Sequence, residues 1–519
     1  MIKDQLVKIH EQLNGCNKKS VANIGDEFNI STDSVRRRLK KLQSRKHHPC
    51  AASFETEAGL KWVNLLVILT IFYFGIKSNV GADVISEFLY MMGIGLYVGV
   101  SSGSIKRSEQ RMDKFMKSFG IKQDAIFEPL AKDIDIHAGG DETYFKDFNI
   151  LVFMDLVSGF ILKEDIKSDR KLATWQDTVN DSIAKFKSFV CLNSDGSNVL
   201  RGLSKKILKC KHFSDLFHMI NYFSSVMRFQ FSSKIKSIDK KLADCNESES
   251  KELIEKKNTL IKGQKDFKQQ LHDVSVAVHP FSCKNSSAIT TAQVEAELNN
   301  SATTLDNIKS ACNLSDNKKK LTTFKNQISF AAAQIDEWWS WAATSLTQFD
   351  LTAELRTWLL YYFLPVVYWQ IQIQKCRNNS VKVTYNNALE IAKEKLSQHK
   401  LTSSLVESAE YYKWLSWAKW ISEQFQRTTS AIEGRNGVLS LASHFCRGIT
   451  KERLISLTVI HNYFIRRADN STAAERLYKV KHDSLLEHLV AHMENELPLP
   501  RARKSKRLPE PLYLQCLAA

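Results

Sequence analysis

Three acidic residues of the 519-residue chain stand where an apolar run ends or a tight turn begins. Asp141 lies in GGDETYF, Asp195 in LNSDGSN and Glu433 in RTTSAIEGRNG. A carboxylate at the end of a buried strand is costly unless it is solvated, paired or metal-bound. Three such groups converging from separate elements could hold two Mg²⁺ ions about 3.5–4 Å apart. That arrangement activates an attacking oxygen and stabilises the leaving one in phosphodiester chemistry. Ligands that are all oxygen suit Mg²⁺, or Mn²⁺, and not zinc. Taken singly, each acid has a plainer reading: Asp195-Gly196 a turn, Asp141 a cap, Glu433 a surface acid. Only their joint context favours chemistry.

Other polar residues near these segments are weighed in the same way. Arg435 and Asn436 follow Glu433 and are expected to contact the scissile phosphate or flanking DNA, because Arg offers paired donors to phosphate oxygens. FSDLFHMI puts Asp215 and His218 three residues apart on an expected helix. Such a pair could approach phosphates, but a satisfied packing histidine is the plainer account. The ten cysteines are scattered without a C-x-x-C pair, which fits neither a disulfide framework nor a zinc ribbon.

The elements that must position these groups fall into six segments. Residues 1–50 read as a helix-turn-helix module: Ile24, Phe28, Ile30, Val35, Leu39 and Leu42 recur at helical spacing around an Asn29-Ile30-Ser31 turn, with Ser31 or Thr32 as the cap of the second helix. That helix carries Arg36, Arg37, Arg38, Lys40, Lys41, Arg45 and Lys46. Seven cations within eleven residues suit a helix that enters the major groove. Residues 51–130 read as a second helical module of the same shape, with Ser102, Lys106 and Arg107 at the start of its last helix as further DNA contacts. From 131 to 205 short β-branched runs alternate with turns and one helix. They predict strand, hairpin with its turn at Val157-Ser158-Gly159, helix, strand: a mixed α/β layer. Residues 206–426 read as an all-α block without strands, 427–490 as a return to Gly- and Arg-marked helices, and 491–519 as a flexible basic tail.

Composition bounds the partners. Lys and Arg number 73 against 56 acids, for a formal charge of +17. The expected partner is a polyanion, nucleic acid before membrane. A hydrophobic fraction of 43% with 8 prolines excludes a fibrous or disordered chain. The apolar runs 62–76 and 358–369 are shorter than the roughly 20 residues of a membrane span, so both are expected to be buried helices. No membrane partner is expected.

At this point the sequence resembles the DDE-type DNA transposases, whose catalytic core is RNase H-like and belongs to the retroviral integrase superfamily. The likeness runs through the tandem N-terminal modules, GGDETYF, LVFMDLVSGFIL, NSDGSNVL, SAIEGRNGVLSL and LISLTVIHNYFIRRADNSTAAERL. The resemblance implies that Asp141, Asp195 and Glu433 are the catalytic, metal-binding triad, and that the fold is an RNase H-like α/β core with a large helical insertion before Glu433. Asp155, mid-strand, matches a residue that in related enzymes is structural or supports the metal ligands, and ranks below the other three acids as a ligand. The implied activity is metal-dependent cleavage at terminal inverted repeats and strand transfer to target DNA. Pairing two element ends calls for at least a homodimer. The implied location is the bacterial cytoplasm, on the nucleoid. The competing reading is a non-catalytic DNA-binding protein, a regulator or a domesticated relic, with the core as a scaffold.

Overall fold

The computed structural model describes residues 19–45, 48, 50–244, 247–316, 319–406, 408, 410–446 and 448–500. The side chains of Arg38 and Lys41, and most of the expected basic tail, fall outside the described residues. Packing divides the chain into two units, Leu130–Asn436 and a second unit made of Met1–Pro129 with Gly437–Ala519.

In Leu130–Asn436 a five-stranded sheet carries the order β3-β2-β1-β4-β5. The strands are β1 (Asp135–Tyr144), β2 (Asn149–Asp155), β3 (Ile161–Lys167), β4 (Ser188–Ser194) and β5 (Lys211–Ser214). β1, β2 and β3 form an antiparallel meander, and β4 and β5 run parallel to β1. β2, NILVFMD, is buried along its whole length, as its continuous apolar run demands of a strand covered on both faces. The hairpin turns at the expected place, with Gly159 at φ +75°, a conformation that costs glycine little. The helix Leu172–Lys185 crosses over between β3 and β4.

One strand escaped the sequence reading. Residues 206–426 are not strand-free, because Lys211–Ser214 forms β5. Four residues, KHFS, are too few to display an alternating pattern, and only pairing with β4 defines them. Beyond β5 the block is helical. Leu216–Asp244 and Glu247–Ala277 pack as a long helical hairpin, and the core of this block gathers Trp338, Trp358, Trp369, Trp414 and Trp417. Those tryptophans pack. Trp420, by contrast, is 39% exposed, its ring 5.0 Å from that of Trp341.

The other unit opens with helices Val21–Glu27 and Thr32–Arg45. Ile24 and Val35 form their core, with Val21, Phe28, Ile30 and Leu39 packed around it. Gly25 allows the turn: a Cβ there would lie 2.7 Å from the Ile30 carbonyl oxygen. Ser31 accepts the Ser34 N–H as the second helix begins. Arg36, Arg37 and Lys40 are exposed. Arg45, counted with them from the sequence, turns inward instead. Its Nε donates to the Leu96 carbonyl at 2.9 Å and its guanidinium sits over Tyr97.

In the second helical segment Ala82–Met91 leads through a left-handed Gly93 to the 30-residue helix Ser102–Ala131. That helix is longer than a helix-turn-helix unit requires. Ser102 is half-buried, and Lys106 and Arg107 are exposed near its start. The apolar run at 62–76 belongs to a longer helical stretch, Glu57–Lys77. Among the described residues this is the one helix long and apolar enough to cross a membrane, and half of it is buried inside the protein. Ile71, Phe72 and Ile76 are buried on its inner face.

Candidate metal centre

The site forms along the second half of β1, which continues past Asp141 to Tyr144 instead of ending there. Gly139 and Gly140 lead into Asp141, and Gly139 has a packing duty. A Cβ on it would meet Leu156 at 2.6 Å and Ile432 at 2.7 Å. The bare backbone therefore lets the helix Ser430–Cys446 approach the strand, with Ile432 fully buried and Glu433 next to it. Asp141, Glu433 and His218 bring one ligand atom each to within 4.8 Å of one another. Among the described residues they form the one such group of three.

His218 is the member the sequence reading undervalued. It stands in the first turn of Leu216–Asp244, the helix that follows β5. Asp215 is not on that helix, as expected from sequence, but lies just before it. Fully buried, Asp215 accepts the Phe217 N–H at 2.7 Å, His218 Nδ1–H at 2.9 Å and the Thr429 N–H at 3.1 Å, and it accepts the Thr429 hydroxyl as well. Thr429 in turn starts the Glu433 helix, since its carbonyl accepts the N–H groups of Ile432 and Glu433. One buried carboxylate thereby orients the histidine and anchors the end of the helix that bears the glutamate. The His218 Nε2 is left facing Glu433 Oε1 at 3.2 Å.

These charges shift one another. Burial alone would lower His218, but Asp215, Asp141 and Glu433 outweigh it and hold the imidazole up, at about 9. Burial raises the Asp141 carboxyl; His218 and the Glu142 main chain pull it down, and the Glu433 and Glu142 charges raise it further. Without a metal, the imidazolium is thus the cation that balances the two acids.

Asp195 stands beside this group without joining it. In the parallel β1–β4 pair Gly139 is level with Asn193, so Asp141 and Asp195 each lie two residues further along neighbouring strands. Asp195 Oδ1 accepts the Ser197 N–H at 2.9 Å in the turn through Gly196, φ +79°. Its charge reaches Glu142, whose carboxyl is pushed up by burial, drawn down by its partner Arg170 and raised again by Asp195.

Two expected DNA contacts are engaged in the fold instead. The Arg435 guanidinium makes a bidentate pair with Glu164 of β3, 2.7 Å on each arm, with both side chains almost wholly buried. Asn436 Nδ2 donates to Asp141 Oδ2 at 2.8 Å. On one turn of helix, then, Arg435 ties the helix to the sheet and Asn436 orients the aspartate. Asp155 has a structural place. It is buried at the β2–β3 turn, at the end of β2 rather than mid-strand, accepting the His137 N–H at 3.1 Å and both the Ser158 N–H and hydroxyl, at 2.8 and 2.5 Å.

A family model described as a family of unknown function (DUF6399) matches residues 359–506. That stretch contains Glu433, whereas Asp141, Asp195 and His218 lie before it. No curated protein and no solved structure matches the chain.

The donor chemistry fits a divalent cation. Two carboxylate oxygens and one imidazole nitrogen converge, and the second histidine nitrogen is held by a carboxylate. That second contact is the usual way a metal-binding imidazole is oriented. The all-oxygen set expected from sequence is not what comes together. A nitrogen ligand shifts the preference from Mg²⁺ toward Mn²⁺ and later transition ions.

Proposed function

We propose that this chain is a DDE-type DNA transposase with an RNase H-like core. The observation that carries the reading is the meeting of Asp141 and Glu433, residues far apart in the chain, on the central strand of a β3-β2-β1-β4-β5 sheet, with Asp195 just after the neighbouring strand. A mixed sheet with one acid on its first strand and a second just after its fourth is close to the layout the resemblance implies. The helical block 216–426 between β5 and the Glu433 helix supports it too, as an insertion before the catalytic glutamate.

In this reading the exposed Arg36, Arg37 and Lys40 face element-end DNA, and the charge of +17 supplies salt-dependent phosphate affinity. Asp141, Glu433 and Asp195 would hold the divalent cations, two Mg²⁺ or Mn²⁺ ions, with His218 beside them as a further ligand once its Nε2 proton is displaced. The cations would activate water for strand hydrolysis, and then the freed 3′-hydroxyl for in-line attack on target DNA. The chain's own groups do the rest: Asp215 fixes the imidazole, Asn436 fixes Asp141, and Arg435 holds the Glu433 helix to β3. Joining two ends requires at least a homodimer.

Purified protein, labelled element-end DNA and Mg²⁺ or Mn²⁺ test this directly. Wild type should nick the ends, while Asp195→Asn should bind the same DNA and leave it intact. Binding without cutting by both proteins would instead identify a DNA-binding scaffold.

A further inference from the structure

The helical block makes a contact with the acid-bearing sheet that the transposase reading does not use. The main-chain carbonyl of Asp195 accepts two side-chain hydrogen bonds, from the Tyr222 hydroxyl at 3.0 Å and from Gln327 Nε2 at 3.0 Å. Tyr222 comes from the helix that carries His218. Gln327 comes from deep within the helical block, immediately before the helix Ile328–Ala332, and is itself buried. The glycine after Asp195 leaves room for the same side chain: a Cβ on Gly196 would lie 2.8 Å from Gln327 Nε2. One turn further along that helix Phe330 lies under the Arg201 guanidinium, 4.3 Å from cation to ring centroid. Gln327 thus reaches the Asp195 turn itself, and Phe330 reaches Arg201 in the helix Asn198–Gly202 that follows it.

We propose that Gln327, with Tyr222, is a positioning residue for Asp195, so that the helical block sets the geometry of the second acid and hence metal occupancy. The inference rests on the transposase reading and deepens it. A carbonyl held by two donors fixes the peptide plane that links Asp195 to Gly196, and with it the direction in which the carboxylate leaves the backbone. Metal chemistry demands such control, because a ligand must be held within roughly 0.5 Å of its working position. Ser197 N–H, on Oδ1, steadies the carboxylate itself. The two restraints come from different parts of the chain: Ser197 is local, whereas Gln327 belongs to the insertion. The block would then be part of the active site's frame as well as a separate packing body.

Gln327→Leu and Tyr222→Phe test this in the full-length protein, beside Asp195→Asn. Each variant is measured for unfolding temperature, element-end DNA affinity, maximal nicking rate and the Mn²⁺ concentration giving half-maximal rate. Loss of a group that orients a metal ligand typically costs about 10- to 100-fold in activity or metal affinity. Gln327→Leu should lower the rate and raise the Mn²⁺ requirement by that order, with DNA affinity within about twofold of wild type. Tyr222→Phe should move both quantities the same way by less, and it decides the matter if Gln327→Leu fails to fold. Wild-type Mn²⁺ dependence in the folded variants, with Asp195→Asn inactive, overturns the positioning role and leaves the transposase reading intact. Unchanged nicking by Asp195→Asn, or none by wild type, removes the reading and the inference with it.

Discussion

Asp155 on β2 and Asp141 on β1 are carboxylates of one sheet, paired in the same ladder with Ala138 and Val152 respectively. Asp155 is wholly enclosed, and its oxygens accept N–H and O–H donors of the hairpin turn and of His137. Asp141 is half-buried beside Glu433, Glu142 and His218. Nearby histidines repeat the contrast. His137, buried against Trp341, is pushed down to about 4 by desolvation, while the acids around His218 hold it up to about 9. The lesson is that burial of an acid does not by itself mark a site. A buried acid surrounded by neutral donors is a structural tie; acids gathered with one another and a single imidazole are an arrangement that a cation would relieve.

Substitution should separate the two kinds of acid most sharply. Asp141→Asn is expected to lower nicking about 1000-fold or more, with no loss of thermal stability, because it removes a charge from a crowded cluster. Asp155→Ala should leave the chemistry in place but cost about 3 kcal/mol in denaturant unfolding, as buried donors of His137 and Ser158 lose their acceptor. If Asp155→Ala abolished nicking at full stability, the distinction would be lost.

The Arg435–Glu164 pair gives the next largest effect, and it tests whether enclosed charge is purely structural. Arg435→Leu leaves Glu164 buried without its partner and should cost about 3–5 kcal/mol. Replacing both residues by leucine should recover most of that loss. DNA affinity of the double variant near wild type would confirm that Arg435 serves the fold. A large drop in affinity at normal stability would return it to the DNA surface.

A smaller effect follows from pH in the metal-free protein. His137 has a folded pKa below its ordinary value, so the unfolded chain binds its proton first and stability falls as pH drops from about 6.5 through 4. The linkage amounts to at most about 3 kcal/mol and should vanish in His137→Gln. His218 has the opposite sign. Its contribution is complete below about 6.5 and is lost as pH rises through 9, so His218→Gln should flatten the alkaline limb. Chemical denaturation across pH 4–9 reads both limbs, and identical limbs in wild type and either variant would break the contrast.

Much of this arrangement could be read from residue order. The apolar run NILVFMD, the Gly159 turn and the short runs of β1 and β4 bounded by turn residues specify four of the five strands, because pattern and turn chemistry are local. The helical spacing of 24–42 likewise foretold the first two described helices, and Asp141 and Glu433 stood out as acids at special positions. Other features were hidden because their cause lies elsewhere in the chain. β5 exists only because β4 offers it an edge, and Arg435 reads as a phosphate contact until Glu164 is found facing it from β3. His218 looked like packing until β5 and Asp215 turned its Nε2 toward Glu433, although an Asp three residues before a His was the available clue.

The local elements, the excess of positive charge and the pool of acids follow from composition and short-range periodicity alone. Which polar groups meet follows from packing. Hydrogen bonds and ion pairs act over a few ångströms in space with no regard to separation along the chain, so Gly139 admitting Ile432, Asp215 reaching Thr429 and Gln327 reaching Asp195 are consequences of packing that no local pattern announces.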